Sequence, residues 1–302
     1  MTDPQPPATI PRPCERSHHS GEVVSTNLPR LKWQAMRAWG ILIFGGLFCL
    51  WVYSLDPPFT YAAPLFLLIV LAVSINGLKR SQDAAILAPI AASLGLEIDR
   101  DKANFLWLLP SQMFPRHDSV TVGALFHCKV EGRVVRLADA KSGSGDGSAQ
   151  SDFYGLVVQV DGLRNLPDFL MVEVAWTKRG WLGMASTIDT QGFASVQTIP
   201  VADRQFDLLR PTGASDDVGL APVMTILADF GQRLPRGVRL YSAEARSGVL
   251  NVALYSKAGL LSGAGMFLSA QSIFAGAESA DALLSTGLEL GRALSAAGDA
   301  AA

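Results

Sequence analysis

The pattern of apolar and polar positions is dominated by two uncharged apolar runs, Ala38–Leu55 and Tyr61–Leu78, separated by a short break at Asp56–Thr60. Each run contains about 18 residues, close to the minimum for a helix that crosses a bilayer. The pattern therefore predicts a two-helix transmembrane hairpin within residues 34–80. The alternative is a pair of helices that are apolar on every side and buried inside a globular core.

The charges that flank the two runs predict an orientation for this hairpin. Three cations, Arg30, Lys32 and Arg37, precede the first run, and Lys79 and Arg80 follow the second, whereas the break between the runs has none. Because cytoplasmic flanks are enriched in Lys and Arg, both termini are expected to be cytoplasmic. The expected location is the cell membrane, specifically an inner membrane, with a multi-pass topology.

Downstream of the hairpin, the apolar period changes from helical to alternating. Alternation begins at Val120 and continues beyond a turn at Glu131-Gly132, and a second clear pair of strands meets at Arg246-Ser247-Gly248. Such pairs predict β-hairpins. Helical spacing predicts helices over residues 218–232 and 280–297. The expected fold class is α+β, with the transmembrane hairpin followed by a cytoplasmic domain of mainly antiparallel sheet with packed helices, over residues 81–297.

Composition narrows the classes of partner. Residues 1–33 are rich in proline and lack apolar periodicity, which predicts a disordered tail. The formal net charge is −2, and no concentrated cationic face is written in the sequence, so nucleic acid is not an expected partner. The three cysteines fit neither a disulfide framework nor a metal site. Membrane lipid is the expected partner, together with a possible protein partner.

One stretch combines indoles with cations at a glycine turn. Residues 176–181 read Trp-Thr-Lys-Arg-Gly-Trp, a composition that suits a lipid headgroup region or a small anionic ligand. The alternative is a hairpin tip with solvated cations. The candidate contact residues are Trp176, Lys178, Arg179 and Trp181.

No motif indicates chemistry of another kind. The sequence contains no zinc-protease, Cys-x-x-Cys, nucleophile-elbow or kinase signature, and therefore predicts no catalytic residue, no cofactor and no metal. His127 and Cys128 are adjacent and could suggest a thiol pair. Because successive residues of a strand point to opposite faces, the expected strand keeps them apart, with Cys128 as a small core residue.

The order of features resembles a bacterial family of uncharacterised membrane proteins, the domain of unknown function thirty-one thirty-seven. The similarity lies in short apolar motifs, such as Asp152-Phe153-Tyr154-Gly155-Leu156, Phe206-Asp207-Leu208 and Leu254-Tyr255. The resemblance implies two membrane helices followed by a cytoplasmic α+β domain, and it implies no activity. The chain departs from the family pattern at Asp139 and Leu268.

These patterns lead to three functional hypotheses. The first is a membrane-anchored interaction or scaffold module. The second is a sensor or binder of a small anionic ligand or lipid headgroup, and the third is a hydrolase whose motif is not recognisable. An enclosed polar pocket would favour the second hypothesis, whereas a broad apolar surface would favour the first.

Overall fold

A computed structural model describes one long N-terminal helix and most of the chain after residue 85. The described residues are 13–53, 65, 69–70, 86–114, 119–143, 153–163, 165–174, 192–213, 220–256 and 270–300. They form two compact units. One takes its described residues from Met1–Leu94 and Leu261–Asp281, and the other from Gly95–Leu260 and Ala282–Ala302.

The second unit is built on a nine-stranded sheet in which every pairing is antiparallel. The spatial order of the strands is β1-β2-β3-β4-β9-β8-β5-β7-β6. The strands are β1 Glu97–Ile98, β2 Ser119–Val130, β3 Arg133–Gly143, β4 Phe153–Asp161, β5 Phe169–Glu173, β6 Phe193–Val201, β7 Arg204–Pro211, β8 Val238–Arg246 and β9 Val249–Ser256.

The tight hairpins form where the sequence supplies turn residues. Strands β2 and β3 meet at Glu131-Gly132, and β8 and β9 meet at Ser247-Gly248; all four turn residues have positive φ. In a two-residue hairpin, a turn with positive φ at both turn residues has a twist that matches the twist of the two strands. Both predicted hairpins are confirmed. They could be predicted because the residues that form each turn are adjacent in sequence.

The helices are α1 Pro13–Tyr53, α2 Lys102–Leu108, α3 Leu220–Gln232 and α4 Ala270–Ala300. Residues 86–93 are also helical. The predicted helix over residues 218–232 is confirmed from Leu220 onward, and the predicted C-terminal helix is confirmed but begins earlier, at Ala270.

One face of the sheet is covered by the C-terminal part of α4. Gly287 lies so close to β3 and β4 that an added Cβ would be 2.4 Å from Leu156 Cδ2, and at Gly291 it would be 2.5 Å from Val135 Cγ1. The missing side chains let the helix backbone approach the sheet. Beneath it, the residues of β9 that were predicted to share a face, Leu250, Val252 and Leu254, are fully buried.

The opposite face carries an aromatic cluster at one end. Phe153 lies 5.0 Å from Phe114 and 4.8 Å from Tyr241, measured between ring centroids. Phe105 of α2 and Met113, from the 3-10 turn Ser111–Met113, are buried with these rings. Tilted rings at such separations add to the energy of burial by about 0.5–1.5 kcal/mol per pair. Polar residues occupy the other end of the same face.

The predicted fold class, with its transmembrane hairpin, is wrong. The described residues of the second unit form a nine-stranded antiparallel sheet, and no helix among the described residues is long and apolar enough to cross a membrane. The predicted multi-pass location in the cell membrane, with cytoplasmic termini, depended on this hairpin and is also wrong.

Two further differences concern the N-terminal region. The second apolar run lies outside the described residues, apart from Leu65, Ile69 and Val70. Residues 13–33, which were predicted to be a disordered tail, belong to α1. The helix is described from Pro13 onward and contains Pro29 in its interior.

Candidate functional site

A line of polar side chains crosses the sheet on the face opposite α4. Successive strands pair Glu97 with His127, His127 with Arg136, Arg136 with Gln159, Gln159 with Asn251, and Asn251 with Glu244. Directly paired residues of neighbouring strands place their side chains on the same face. We call these six residues, Glu97, His127, Arg136, Gln159, Asn251 and Glu244, the polar row.

The middle of the polar row is a buried hydrogen-bond chain. Arg136 donates from Nη1 to Gln159 Oε1 at 2.9 Å, and Gln159 donates from Nε2 to Asn251 Oδ1, also at 2.9 Å. Gln159 is fully buried, and Asn251 is nearly so. Each such bond contributes about 1 kcal/mol net, and leaving one of these amides without its partner would cost more. The chain therefore fixes the mutual register of β3, β4 and β9.

The edge of the polar row at β1 is charged and partly exposed. Arg136 pairs with Asp161, and its Nε lies 3.8 Å from Asp99 Oδ2. His127 lies 3.6 Å from Glu97 and 3.9 Å from Asp99, measured from its ring nitrogens to the carboxylate oxygens. Only the Glu97 side chain is largely in water, with 81% exposed. Surface pairs of this kind contribute little to stability, whereas removal of the partly buried Arg136 would leave Asp161 without this partner and is more costly.

The opposite end of the polar row is a buried carboxyl group. Glu244 is 3% exposed, and its Oε2 has no hydrogen-bond partner among the described residues. Burial raises the pKa of this carboxyl from 4.5 to about 7; Arg246 opposes the rise in pKa and Asp168 adds to it. Near neutral pH the polar row thus contains a carboxyl group that is poised between its acid and its carboxylate.

The chemistry available along the row is limited to charge and hydrogen bonding. The row supplies a potential base in His127 but no hydroxyl or thiol nucleophile, and no group of three or more His, Cys, Asp or Glu in the described chain is placed to hold a metal ion. Cys128 is on the same strand as His127 but pairs with Val135, on the face that α4 covers. Burial raises the pKa of its thiol, which disfavours the reactive thiolate.

Helix α1 presents a second feature, an exposed apolar stripe. Eight large apolar side chains of this helix are each between 53% and 74% exposed. At the 100° per residue of an α-helix they fall within an arc of about 160°. The remaining arc contains half-buried residues such as Ile41, Gly45 and Cys49. The α1 stripe consists of Trp33, Met36, Ile43, Phe44, Leu47, Phe48, Leu50 and Trp51.

The candidate contact residues proposed from the sequence, Trp176, Lys178, Arg179 and Trp181, lie outside the described residues. Sequence reasoning missed the polar row, although one signal was present. Gln159 and Asn251 are isolated polar residues within apolar stretches of their strands, and buried polar residues in a sheet need partners on neighbouring strands. The partners themselves are remote in sequence.

Comparisons of the chain with protein-family models, with curated proteins and with solved structures find no match. The resemblance to the domain of unknown function thirty-one thirty-seven therefore stays a prediction.

Proposed function

We propose that the protein is an interaction or scaffold module that docks a helix of a protein partner on the α1 stripe. The observation that supports this proposal is the size and continuity of the stripe, since all eight of its members are more than half exposed on one side of one helix. Contiguous apolar surface of this extent is uncommon on monomeric proteins and is typical of interaction sites. Covering it would release ordered water and stabilise a complex.

The spacing within the α1 stripe favours a helical partner. Trp33, Met36, Ile43, Leu47 and Leu50 alternate by steps of three and four residues once Gly40 is included. A 3-4 repeat places side chains in one seam, the geometry with which helices interdigitate. A lipid surface would require no such repeat. The interaction function needs no chemistry from the polar row, whose buried part acts in our proposal as the rigid support of the sheet.

The proposal can be tested in cells with a photo-reactive phenylalanine derivative at position 47 of the full-length chain. Leu47 is in the centre of the α1 stripe, and Glu289, which is exposed on α4, is the matched control position. We expect protein-sized covalent adducts from position 47 and at least tenfold less from position 289.

Two results would contradict the proposal. Equal adduct formation at the two positions would show that the α1 stripe is not a specific surface. Adducts of position 47 with lipid alone would assign the stripe to membrane lipid, the other partner considered from the sequence.

A further inference from the structure

We infer that the helix docked on the α1 stripe is α1 of a second copy of this chain, packed antiparallel across a two-fold axis. This inference rests on the proposed function and adds the identity and direction of the partner. It depends on three observations about α1: the order of large and small residues in its seam, the position of its cations, and the absence of acidic residues alongside them.

The seam is complementary to itself when it is reversed. Its six positions are Trp33, Met36, Gly40, Ile43, Leu47 and Leu50. In an antiparallel pair with matched ends, Trp33 faces Leu50, Met36 faces Leu47, and Gly40 faces Ile43. Gly40 has no atom within 4 Å of the place where a Cβ would lie, so the space above it is open. The branched side chain of Ile43 from the other copy fits that space, as a knob does in a hole.

Charge also favours the antiparallel direction. Arg30, Lys32 and Arg37 lie at the start of the seam, and no Asp or Glu occurs between residues 23 and 53. A parallel pair would bring the cations of the two copies together at the same height, which is unfavourable. In the antiparallel pair Arg30 faces Tyr53 of the other copy, the last residue of α1. The cations of the two copies then lie at opposite ends of the pair, where separation beyond the screening length weakens their repulsion.

Aromatic residues add a specific contact at the same place. The matched register sets Lys32 opposite Trp51 of the other copy. Within one chain, the Arg37 guanidinium already lies 4.9 Å from the ring centre of Trp33, so the start of the seam is suited to contacts between cations and rings. An ammonium group above an indole is a favourable arrangement of this type. Both ends of the paired helices would then be held by the same contact, because the two-fold axis repeats it.

Disulfide formation between engineered cysteines can test the inference on the full-length chain. In a background with Cys14, Cys49 and Cys128 replaced by Ala, one preparation has Met36→Cys and another has Leu47→Cys. In the antiparallel pair these two positions face each other, whereas two copies of position 36 are offset by about 16 Å along the axis. A disulfide needs Cα atoms within about 7 Å.

We expect the mixture of the two preparations to give at least tenfold more covalent dimer under mild oxidation than either preparation alone. Sedimentation of the unmodified chain should give the mass of a dimer. Covalent dimer from each preparation alone would establish a parallel pair and overturn the inferred direction.

A monomeric mass with no covalent dimer would overturn the second copy as partner. Neither failure would decide the proposed function, which depends on the adducts formed at position 47 in cells. A photo-adduct of twice the chain's mass would agree with both proposals, and a heterologous adduct would retain only the interaction function.

Discussion

The buried carboxyl of Glu244 leads to the most quantitative prediction, which concerns the pH dependence of stability. Its pKa in the folded protein is about 7, compared with 4.5 for an unperturbed carboxyl. Between pH 4.5 and about pH 7, the Glu244 carboxyl is therefore protonated in the folded state and ionised in the unfolded state. The contribution of Glu244 to stability is largest below pH 4.5 and is lost as the pH rises towards 7, because deprotonation is more costly in the folded state.

The size of this effect follows from the difference between the two pKa values. At about 1.4 kcal/mol per unit, a difference of about 2.5 units corresponds to about 3 kcal/mol of stability lost by pH 8. Glu244→Gln removes the titrating group and keeps the shape of the side chain. We expect the variant to match the wild type within about 1 kcal/mol at pH 5 and to be more stable by up to about 3 kcal/mol at pH 8.

Urea unfolding of the full-length chain at several pH values between 5 and 8 measures this difference. Glu289→Gln is the matched control, because Glu289 is exposed on α4 and its charge stays in water in both states. The reasoning would be refuted if Glu244→Gln and the wild type lost stability equally over this range. It would also be refuted if the control variant removed the pH dependence.

Two further predictions concern the α4 face of the sheet. Gly287→Ala should lower the free energy of unfolding by about 1–3 kcal/mol, because the new methyl group would be 2.4 Å from Leu156 Cδ2. The control Gly46→Ala, in open space on α1, should be neutral or stabilising in the same urea assay. Equal effects of the two substitutions on stability would contradict the packing argument. Cys128 should react with a thiol reagent more slowly than an unfolded-chain thiol at pH 7.5, since burial raises its pKa, and labelling of the folded protein at the unfolded-chain rate or faster would contradict this.

Local elements were predictable because their determinants are local. The hairpin of β8 and β9 follows from alternating apolar residues on both sides of a short turn, and Ser247 and Gly248 supply the positive φ values that the turn needs. The strand that separates His127 from Cys128 is present as expected, and the two residues pair with Arg136 and Val135 on opposite faces. Each of these features involves residues within about 20 positions of one another.

The interpretation of the apolar runs shows where local pattern is insufficient. An uncharged run of about 18 residues predicts a spanning helix only if the helix covers the whole run. The structure describes α1 from Pro13 to Tyr53, so the helix extends well before the first apolar run and includes the charged residues Arg30, Lys32 and Arg37.

The sequence by itself determined the two tight hairpins and most of the helix Leu220–Gln232, whereas the burial of both faces of β4, β5, β8 and β9 was decided by the tertiary structure. Only the tertiary structure decided that β5 lies between β8 and β7, and that Arg136, Gln159, Asn251 and Glu244 form one row. Gln159 and Asn251 hydrogen-bond although 92 positions separate them. The order of strands in the sheet is set by the sum of many burial energies and loop-closure entropies over the whole chain. A local stretch of sequence therefore does not determine which distant residues become neighbours.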